Sequence, residues 1–563
     1  MRTATHSFLW ILLLDTLLLC GTPLVSQDSS VQPTWNHSTA FAAGAVGSQP
    51  SRLYGLPVTQ SMRGVQKQRL VPSDGRVASS TDTPSNEFSL VYQVLGVGND
   101  FPSYVVSGEP PNPTLAVGGT EVVQSANGAY ADFEKTTGSI IPLDGSDFTE
   151  GNAIWSQLLP GTLCANNNGN EVLVKFDRAA QRWIVTQNVS RSPYAICLAV
   201  SQTATFSDNL WNAYQFPVVQ GGLADYPKWG VWSTGAASDG YYQTWNNFGA
   251  GGTGFVGPVI CGYDRAKLLV GDRTAEQICF QLTANESSLL PADLDSPVGP
   301  PATEDEFFIG GVADIDNSHL SLYSMHINDW ESGSATMTGL NNSQLIAVAP
   351  YTGSCDGNYG GDCVPQQGTS ARLQSLGDRL MYRFAYWNDR PSPTVTAAPP
   401  IPPPLQHWLV NFDVETSTGQ VGISWFEFVA SHRTVPVTSL FVFQQGTFAG
   451  SPPDTNYRWM GSIARDNVQD ILLGYSISSS GTFPSIAVAG RKYSDPHGTL
   501  SGEQFAVTGG GSQGTSAWGG YSTMEIDPSD NCTFFYTTEF YLVPAFSNGW
   551  STDISSWRFP NCH

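Results

Sequence analysis

The stretch Trp518–Tyr541, WGGYSTMEIDPSDNCTFFYTTEFY, predicts a β-hairpin. Residues 521–526 alternate between two sets of side chains, and a period of two is the period of a strand. Asp527–Asn531 combines proline with Asp and Asn, which favour turns. Residues 532–541 are rich in aromatic and β-branched side chains, which favour strands. A small hairpin of this kind, repeated with variation, is the unit of a β-propeller blade.

Similar strand-rich units precede this hairpin along the chain. They occupy residues 114–135, 171–200, 228–263, 306–327, 379–428 and 459–491. The first strand is expected at Phe88–Leu95, and the proline-rich stretch 391–404 is interpreted as a stiff loop inside the fifth unit. The sequence therefore predicts an all-β fold, a seven-bladed β-propeller over residues 89–563.

Composition supports this class of fold and excludes others. The 563 residues include 57 Gly and 37 Pro, aromatic residues make up 12% and charged residues only 13%. Many glycines and prolines with few charges indicate many strands and tight turns, and the 40% of hydrophobic residues argues against disorder of the whole chain. The net charge of −23 would repel a phosphate backbone, so a nucleic-acid partner is not expected.

The N-terminal region predicts export. Residues 8–20 form a short apolar run after Arg2, which is typical of a signal peptide at 1–26 and too short for a transmembrane span. Residues 27–88 are rich in Ser, Gln and Pro and are predicted to be a flexible, disordered segment. We therefore expect a secreted, extracellular monomer without a transmembrane span. A lipid anchor at Cys20 is the alternative, although Leu19 matches a lipidation site poorly.

Eight cysteines remain after Cys20, an even number that indicates disulfides in an exported chain. Eight cysteines allow 105 pairings. Because they fall into four local pairs, we predict Cys164–Cys197, Cys261–Cys279, Cys355–Cys363 and Cys532–Cys562. Zinc spacings such as CxxC are absent from the sequence.

One set of polar residues suggests sialidase-like chemistry. Arginine forks suit the carboxylate of an acidic sugar, and a tyrosine near a carboxylate can act as a nucleophile. A propeller brings equivalent loops to one mouth, so distant residues can converge there. The predicted catalytic residues are Arg379, Arg383, Arg458, Asp466 and Tyr521. The alternative is that the arginines bond to neighbouring blades and have only a structural role.

Aromatic and acidic residues supply two further hypotheses. The predicted ligand-binding aromatics, on which a sugar ring could stack, are Tyr382, Trp387, Tyr457 and Trp518. Packing between blades explains such aromatics equally well. Oxygen-rich turns can hold Ca²⁺, and the predicted ligands are Asp314, Asp316, Asp527 and Asp530, with solvated turn residues as the alternative. No organic cofactor is expected.

Several segments resemble a group of secreted bacterial β-propeller-like proteins that have no assigned activity and are distantly similar to sialidases in architecture. The matching segments lie at 176–187, 225–232, 376–386, 457–466, 471–480 and 518–541. The resemblance implies export and a propeller over about residues 90–562. In that group an Asp stands at the position of Gly520 and an Arg at the position of Trp387. Both departures remove a polar group from a motif.

Two classes of function follow from these observations. The favoured hypothesis is a binding protein that presents its propeller mouth to a glycan or a protein ligand, because the sequence shows no complete catalytic set. The alternative is a glycan-active enzyme, a sialidase-like glycoside hydrolase or a polysaccharide lyase, that uses the Arg/Tyr/Asp cluster. The two differ in whether the cluster converges in one funnel.

Overall fold

The structure is a computed structural model. It describes the backbone of residues 34–37 and, in addition, residues 88–106, 108–169, 171–236, 239–252, 254–311, 317–339, 344–355, 361–389, 405–431, 436–450, 453–542 and 549–563. These residues are almost all in strands and the turns that join them. The prediction of an all-β fold is confirmed.

The strands of the first half of the chain form three antiparallel sheets. Two strands, β1 (Thr34–His37) and β2 (Ser89–Leu95), precede them. Sheet 1 contains β3 (Thr114–Val117), β4 (Glu121–Ala126), β5 (Ala129–Glu134), β6 (Ile140–Ile141) and β7 (Thr149–Glu150). Sheet 2 contains β8 (Leu173–Asp177), β9 (Arg182–Asn188), β10 (Ala195–Ser201) and β11 (Trp211–Pro217). Sheet 3 contains β12 (Gly222–Trp232), β13 (Gly240–Phe248), β14 (Phe255–Asp264) and β15 (Glu276–Gln281).

The second half forms sheets 4 to 7. Sheet 4 contains β16 (Leu290–Leu294), β17 (Glu306–Gly311), β18 (His319–Asp329), β19 (Ser334–Thr338) and β20 (Gln344–Ala347). A small hairpin follows, β21 (Asp362–Pro365) and β22 (Arg372–Gln374). Sheet 5 contains β23 (Met381–Asn388), β24 (Leu405–Glu415), β25 (Val421–Ser431) and β26 (Phe441–Phe448). Sheet 6 contains β27 (Tyr457–Arg465), β28 (Ile471–Ser479), β29 (Thr482–Arg491) and β30 (Ser501–Val507). Sheet 7 contains β31 (Thr523–Ile526), β32 (Thr533–Phe540) and β33 (Ser551–Arg558).

Helices are few and short. They are α1 (Ala153–Leu158), α2 (Leu163–Asn166), α3 (Gly249–Gly252) and α4 (Arg265–Leu269), with 3-10 turns at Phe206–Asp208 and Val219–Gly221. The side chain of Asp264 caps α4 by accepting a hydrogen bond from the Lys267 amide, as expected for an acidic N-cap. Among the described helices, none combines the length and hydropathy of a membrane span.

The first strands of the sheets contact one another in a closed order. In chain order β3, β8, β12, β16, β23, β27 and β31 each contact the next, and β31 contacts β3. Sheets 4 and 5 are also joined by short parallel pairing between β16 and β23. A cyclic succession of antiparallel sheets around a set of inner strands is the arrangement of a β-propeller. The number of blades stays a prediction, and the seven sheets of the described residues are consistent with it.

Strands from distant parts of the chain meet in sheet 7. Strand β2 pairs with β33, so residues from the N-terminal side complete a sheet that is otherwise built from the C-terminal side. Its partner register runs from Ser89 opposite Arg558 to Leu95 opposite Asp553. This pairing covers an edge of β33 that would otherwise expose unpaired backbone groups.

The four predicted disulfides are confirmed. They are Cys164–Cys197, Cys261–Cys279, Cys355–Cys363 and Cys532–Cys562. Cys261 and Cys279 lie directly opposite each other on β14 and β15. Cys532–Cys562 fastens the C-terminus to the start of β32. Such bridges are typical of proteins from oxidising compartments.

One expectation from the sequence needs correction, and other predictions concern residues outside the described ranges. The sequence suggested no strand before Phe88, but the backbone of β1 pairs with β15 as an outer strand of sheet 3. The signal peptide at 1–26, Cys20 and most of 27–88 lie outside the described residues, as does the proline-rich stretch 391–404. That stretch joins β23 to β24, which pair antiparallel.

Candidate active site

A cleft of about 270 Å³ lies where β3, β8 and β12 begin. We call this end of the inner strands the mouth. The cleft is lined by loops of sheets 1, 2 and 3, namely Gly108, Glu109, Pro110, Asn112, Asn127, Glu171, Asn188, Ser190, Leu223, Ala224 and Asp225. The charged residues among this lining are all acidic. The cleft therefore attracts neutral or cationic ligands more than anionic ones.

Two carboxylates, Glu171 and Asp225, lie close together in this cleft. Glu171 immediately precedes β8 and is half-buried, whereas Asp225 lies near the start of β12 and is exposed. The backbone of Tyr226 lies near both carboxylates and acts to lower the pKa of each. Glu171 thus forms part of the cleft wall, and Asp225 lies nearer solvent.

A bulge in β12 positions Asp225, Tyr226 and Lys228. Asp225 pairs with Asn246 and Lys228 pairs with Thr244, so the register shifts between them. Tyr226 lies inside the bulge with φ of 56°, in the left-handed region that a bulky residue rarely adopts. Bulges of this type redirect side chains and are common beside active sites. Here the bulge turns Asp225 to the cleft and brings Tyr226 and Lys228 beneath it.

Beneath the two carboxylates lies the side chain of Lys228, which is 0% exposed. Its Nζ is 3.2 Å from the ring centroid of Tyr226 and 3.1 Å from that of Tyr521. Among the described residues, this ammonium group has no hydrogen-bond partner. The Tyr226 hydroxyl donates to the carbonyl oxygen of Gly520, and the Tyr521 hydroxyl donates to that of Pro227, at 3.1 and 2.9 Å. Both rings are therefore held in place over the lysine.

Burial sets the proton affinities of this group of residues. It raises the pKa of Glu171 to about 7, and the neighbouring Asp225 raises it further, while Lys228, the Tyr226 amide and the Tyr521 hydroxyl act in the opposite direction. The surrounding cleft walls raise the pKa of Asp225, against the influence of Lys228. Burial lowers the pKa of Lys228 well below its usual range, against the pull of Glu171 and Asp225.

This arrangement is suited to general acid–base chemistry. A carboxyl group that is half protonated near neutral pH can donate a proton to a leaving group. A second, more exposed carboxylate can act on a water molecule or on a sugar carbon, and glycoside hydrolysis uses such a pair. Glu171 fits the role of the acid and Asp225 that of the second carboxylate.

A second buried charge cluster lies deeper between the inner strands. Lys175 of β8 donates to Asp293 of β16 and to Glu525 of β31, both at 2.5 Å. Arg383 of β23 donates to Asp293 at 2.6 Å and also pairs with Asp295. All five side chains are buried. We call them the deep cluster; it connects four inner strands through ion pairs.

The predicted catalytic residues do not all meet at one place. Arg379, just before β23, acts electrostatically on Asp225, Tyr226 and Lys228, and Tyr521 packs on Lys228. These two residues lie at the mouth. Arg383 belongs to the deep cluster and donates to the Met524 carbonyl, as the structural alternative expected. The hydroxyl of Tyr521 is buried, donates to the Pro227 carbonyl oxygen at 2.9 Å and lies 3.4 Å from Glu171 Oε1, so a tyrosine does lie beside a carboxylate here, and its sialidase-like role stays a prediction.

Arg458 and Asp466 are separated from each other and from this group. They lie at opposite ends of β27, which at about 3.3 Å per residue puts their backbones roughly 25 Å apart. Arg458 pairs with Glu503 and Asp454, both at 2.6 Å. Asp466 accepts the amides of Val468 and Asp470 in a turn. Arg458 and Asp466 therefore do not converge in one funnel, because side chains at opposite ends of β27 cannot both reach one sugar.

The predicted ligand-binding aromatics are mostly packing residues. Tyr382, Trp387 and Trp518 are 2%, 2% and 1% exposed. Tyr382 lies at the edge of the mouth, with its ring 6.0 Å from the Lys228 Nζ. Trp387 packs against the Arg465 guanidinium, and Trp518 packs between Trp459 and Tyr541. A sugar cannot stack on these buried rings.

Tyr457 is the exception among the four aromatics. It is half-buried and lines a groove of about 520 Å³ between sheets 5 and 6. Arg372, Gln420 and Asp454 line the same groove. The groove is separate from the cleft, which none of these residues lines.

The predicted metal ligands divide into two sets. Asp314 and Asp316 lie outside the described residues. Asp527 accepts from Lys135 at 2.9 Å and from the Ser529 amide, and Asp530 accepts from Arg558 at 2.8 Å and from the Thr533 amide. In the described part of the chain, no group of three or more His, Cys, Asp or Glu residues is arranged to hold a metal ion. Calcium binding stays a prediction.

The sequence analysis missed Glu171, Asp225 and Lys228 as site residues. Asp225 belongs to the segment DYPKWGVW, which was noted for its resemblance, whereas Glu171 and Lys228 are the first residues of the predicted strand-rich units 171–200 and 228–263. A lysine in a run that is otherwise apolar was the available signal. The proximity of Glu171 to Asp225 arises only when β8 and β12 become neighbouring inner strands.

Comparison with known proteins gives weak similarities to solved structures. One is the α-L-arabinofuranosidase PaAbf62A from Podospora anserina in complex with cellotriose, at 10% identity and a TM-score of 0.29, over 84% of this chain and 98% of that one. Another is the exo-β-1,3-galactanase 1,3Gal43A from Clostridium thermocellum, at 10% identity and a TM-score of 0.28, over 81% and 88%. A third is a protein of unknown function from Dyadobacter fermentans, at 10% identity and a TM-score of 0.23, over 84% and 99%.

No family model matches the sequence, and no curated protein matches it. TM-scores of this size do not establish a shared fold. Inferences about function therefore depend on the geometry of the cleft.

Proposed function

We propose that this protein is a secreted glycan-active enzyme, a glycoside hydrolase whose site is the cleft at the mouth. The observation that carries the proposal is the pair of carboxylates, Glu171 and Asp225, which line one cleft and lie close enough for Asp225 to raise the pKa of Glu171. The alternative of the sequence analysis is thereby preferred to the binding protein that it favoured. The residues that carry the activity differ from those that the sequence suggested.

In the proposed reaction Glu171 donates its proton to the glycosidic oxygen as the bond to the sugar carbon breaks. Asp225 either takes a proton from the attacking water or bonds to the sugar carbon before water replaces it. Glu171 is suited to the acid role because burial raises its pKa to about 7. Asp225 is suited to the second role because it is exposed and lies beside Lys228 and Arg379, which favour its ionised form.

The lining of the cleft restricts the substrate. Glu109, Glu171 and Asp225 are its charged residues, so the carboxylate of an acidic sugar would be repelled. Of the three arginines predicted to bind such a carboxylate, Arg383 and Arg458 are already paired with Asp293, Asp295, Glu503 and Asp454, and Arg379 lies beside the Asp225 carboxylate. We therefore propose a neutral or amine-bearing glycan as the substrate in place of a sialic acid.

The test is a turnover assay on the purified, secreted chain. Neutral, amine-bearing and acidic polysaccharides are compared by release of reducing ends, with Ca²⁺ and with a chelator in parallel. We expect release from a neutral or amine-bearing substrate, and loss of release in Glu171→Gln. The matched control is Glu331→Gln, an exposed glutamate in the turn between β18 and β19.

Three outcomes would contradict the proposal. Retention of a polysaccharide without turnover would restore the binding protein. Unsaturated products would indicate a lyase. Turnover that survives Glu171→Gln would place the chemistry elsewhere. A chelator effect would support the predicted calcium site without locating it.

A further inference from the structure

We propose that Lys228 is a positioning residue that controls the protonation of Glu171 and Asp225 from beneath the cleft. This inference rests on the proposed function, since it assigns a role in the same site. Lys228 does not line the cleft and is fully buried, so it is not expected to touch a substrate. It acts through its charge on the two carboxylates above it.

The first support is the way in which Lys228 is held. Its Nζ lies between two tyrosine rings, 3.2 Å from the centroid of Tyr226 and 3.1 Å from that of Tyr521, and the ring of Tyr382 is 6.0 Å away. Ring faces attract a cation, and the attraction is strongest where water is excluded. No carboxylate or carbonyl of the described residues forms a hydrogen bond to this Nζ. The ammonium field therefore remains available to the groups above.

The second support is the set of charged groups around it. Glu171 before β8 and Asp225 on β12 are its acidic neighbours, and Arg379 before β23 is its cationic neighbour. Asp413 of β24 acts to raise the pKa of Tyr226, one of the two tyrosines whose rings flank the Lys228 Nζ. When Lys228 is protonated, against the burial that lowers its pKa, Lys228 and Arg379 are two cations beside the two carboxylates Glu171 and Asp225. Without Lys228, two carboxylates would face each other beside one arginine.

The third support is that a buried ammonium without a hydrogen bond is costly to the fold. Methionine has a similar length and would avoid the desolvation of a charge. The deep cluster shows how this chain pairs a buried lysine for structural purposes, since Lys175 has two carboxylates at 2.5 Å. Lys228 has no carboxylate at hydrogen-bond distance among the described residues, and it lies beside Glu171, the proposed acid. Its charge therefore serves the site and not the packing.

The consequence is a definite direction of change. Lys228 lowers the pKa of both Glu171 and Asp225. Removal of its charge should raise both pKa values. A cation beside a carboxyl group lowers the pKa of that group by about one unit or more. Glu171 would then stay protonated to higher pH, and Asp225 would need higher pH to ionise. Both limbs of the pH profile should move to the alkaline side.

The test compares Lys228→Met, Lys228→Gln and Lys228→Arg with the unmodified protein. Glu171 is titrated by infrared difference spectroscopy, with Glu171→Gln to identify its band. We expect its midpoint to rise by about one unit or more in the Met and Gln variants and to stay near the original value in the Arg variant. On a cleaved glycan, the pH profile of kcat/KM should move in the same direction.

The infrared titration requires no substrate, so it separates this proposal from the proposed function. An unmoved Glu171 midpoint in a folded Met or Gln variant would overturn the role of Lys228, whether or not the protein cleaves a glycan. A moved midpoint without turnover on any glycan would support the role of Lys228 and count against the hydrolase. If Lys228→Met does not fold, the Gln variant gives the same comparison. If neither neutral variant folds while Arg does, Lys228 is structural and the proposal fails.

Discussion

Two buried lysines occupy neighbouring layers between the inner strands and differ in almost every contact. Lys175 donates to Asp293 and Glu525 at 2.5 Å and belongs to a cluster that connects β8, β16, β23 and β31. Lys228 lies between the rings of Tyr226 and Tyr521 and has no hydrogen-bond partner among the described residues. Both side chains are almost inaccessible to solvent.

The difference separates structural from functional charge. A buried ion that is fully paired adds little reactivity, because its partners fix its proton affinity. Loss of one partner strongly destabilises the fold. A buried ion without a close partner is expensive while it is present, and its field acts on whatever titratable groups are near. Those groups are Glu171 and Asp225. This contrast favours the mouth over the deep cluster as the place of the proposed chemistry.

The largest effect on stability is expected from removing Lys175, the lysine of the deep cluster. Lys175→Met should lower the free energy of unfolding by about 3–5 kcal/mol, because it leaves the three buried carboxylates of the deep cluster with Arg383 as the one remaining cation of that cluster. Lys228→Met should change it by no more than about 1 kcal/mol, because lost cation–π attraction is offset by the removal of a buried charge. Urea unfolding, followed by tryptophan fluorescence, measures both. Equal losses in the two variants would remove the contrast between the lysines.

The next effect concerns the proposed acid. Glu171→Gln should reduce kcat by about 10²–10⁴-fold, because proton donation to the leaving group is lost while the shape of the side chain is kept. The thermal midpoint should not fall, since a half-buried carboxyl is replaced by a neutral amide. Calorimetry and initial rates on the same preparation test this. A substrate with a good leaving group should recover part of the rate, and absence of that recovery would contradict the acid role.

A smaller effect is expected from pH on stability. Burial raises the pKa of Asp132 to about 9 and those of Glu304, Asp413 and Asp553 to about 7. Because unfolded carboxyls titrate near pH 4, the folded chain binds more protons than the unfolded chain between about pH 4 and pH 8, and stability falls as pH rises through that window.

Thermal unfolding should therefore occur a few degrees higher at pH 5 than at pH 8. Scans at several pH values measure this trend. Asp132→Asn, which removes the carboxyl with the highest of these four pKa values, should make the decline with pH shallower. An increase of the midpoint between pH 5 and pH 8 would show that these carboxyls are ionised in the folded protein.

The smallest effect is expected at Arg458, which the sequence suggested as catalytic. Arg458→Gln should leave kcat/KM within about two-fold, since Arg458 lies in β27 and pairs with Glu503 and Asp454 away from the cleft. Stability should fall by about 1–2 kcal/mol, less than for Lys175, because both partners are partly exposed and can be hydrated. Kinetics on the glycan that the turnover assay identifies provide the check. A large loss of activity in a stable variant would return the sialidase-like cluster to consideration.

The units of the sequence were predictable because their signals are local. The period of two in residues 521–526 and the DPSDN turn at 527–531 depend on neighbouring residues, and the structure has β31, a turn and β32 there. The disulfides were predictable for a similar reason, since each pair closes a short stretch of chain. The pairing of β2 with β33 was not, because its partners are separated by almost the whole chain.

The site illustrates the same limit. Arg383 and Arg379 are close in sequence, yet the first belongs to the deep cluster and the second acts on the mouth, because depth along an inner strand decides which layer a side chain joins. Tyr382 and Tyr521 lie near each other, at 6.4 Å between ring centroids, and both are buried. The sequence could not rank these candidates by burial.

The sequence by itself determined the strand-rich units, the four disulfides and the acidic character of the protein, because each depends on composition or on residues near one another in the chain. Only the tertiary structure decided which charges are paired and which are not. Glu171, Asp225 and Lys228 form a site because β8 and β12 lie side by side as inner strands and a bulge turns one of them toward the other. That adjacency depends on the order of whole sheets around the inner strands, which no local pattern encodes.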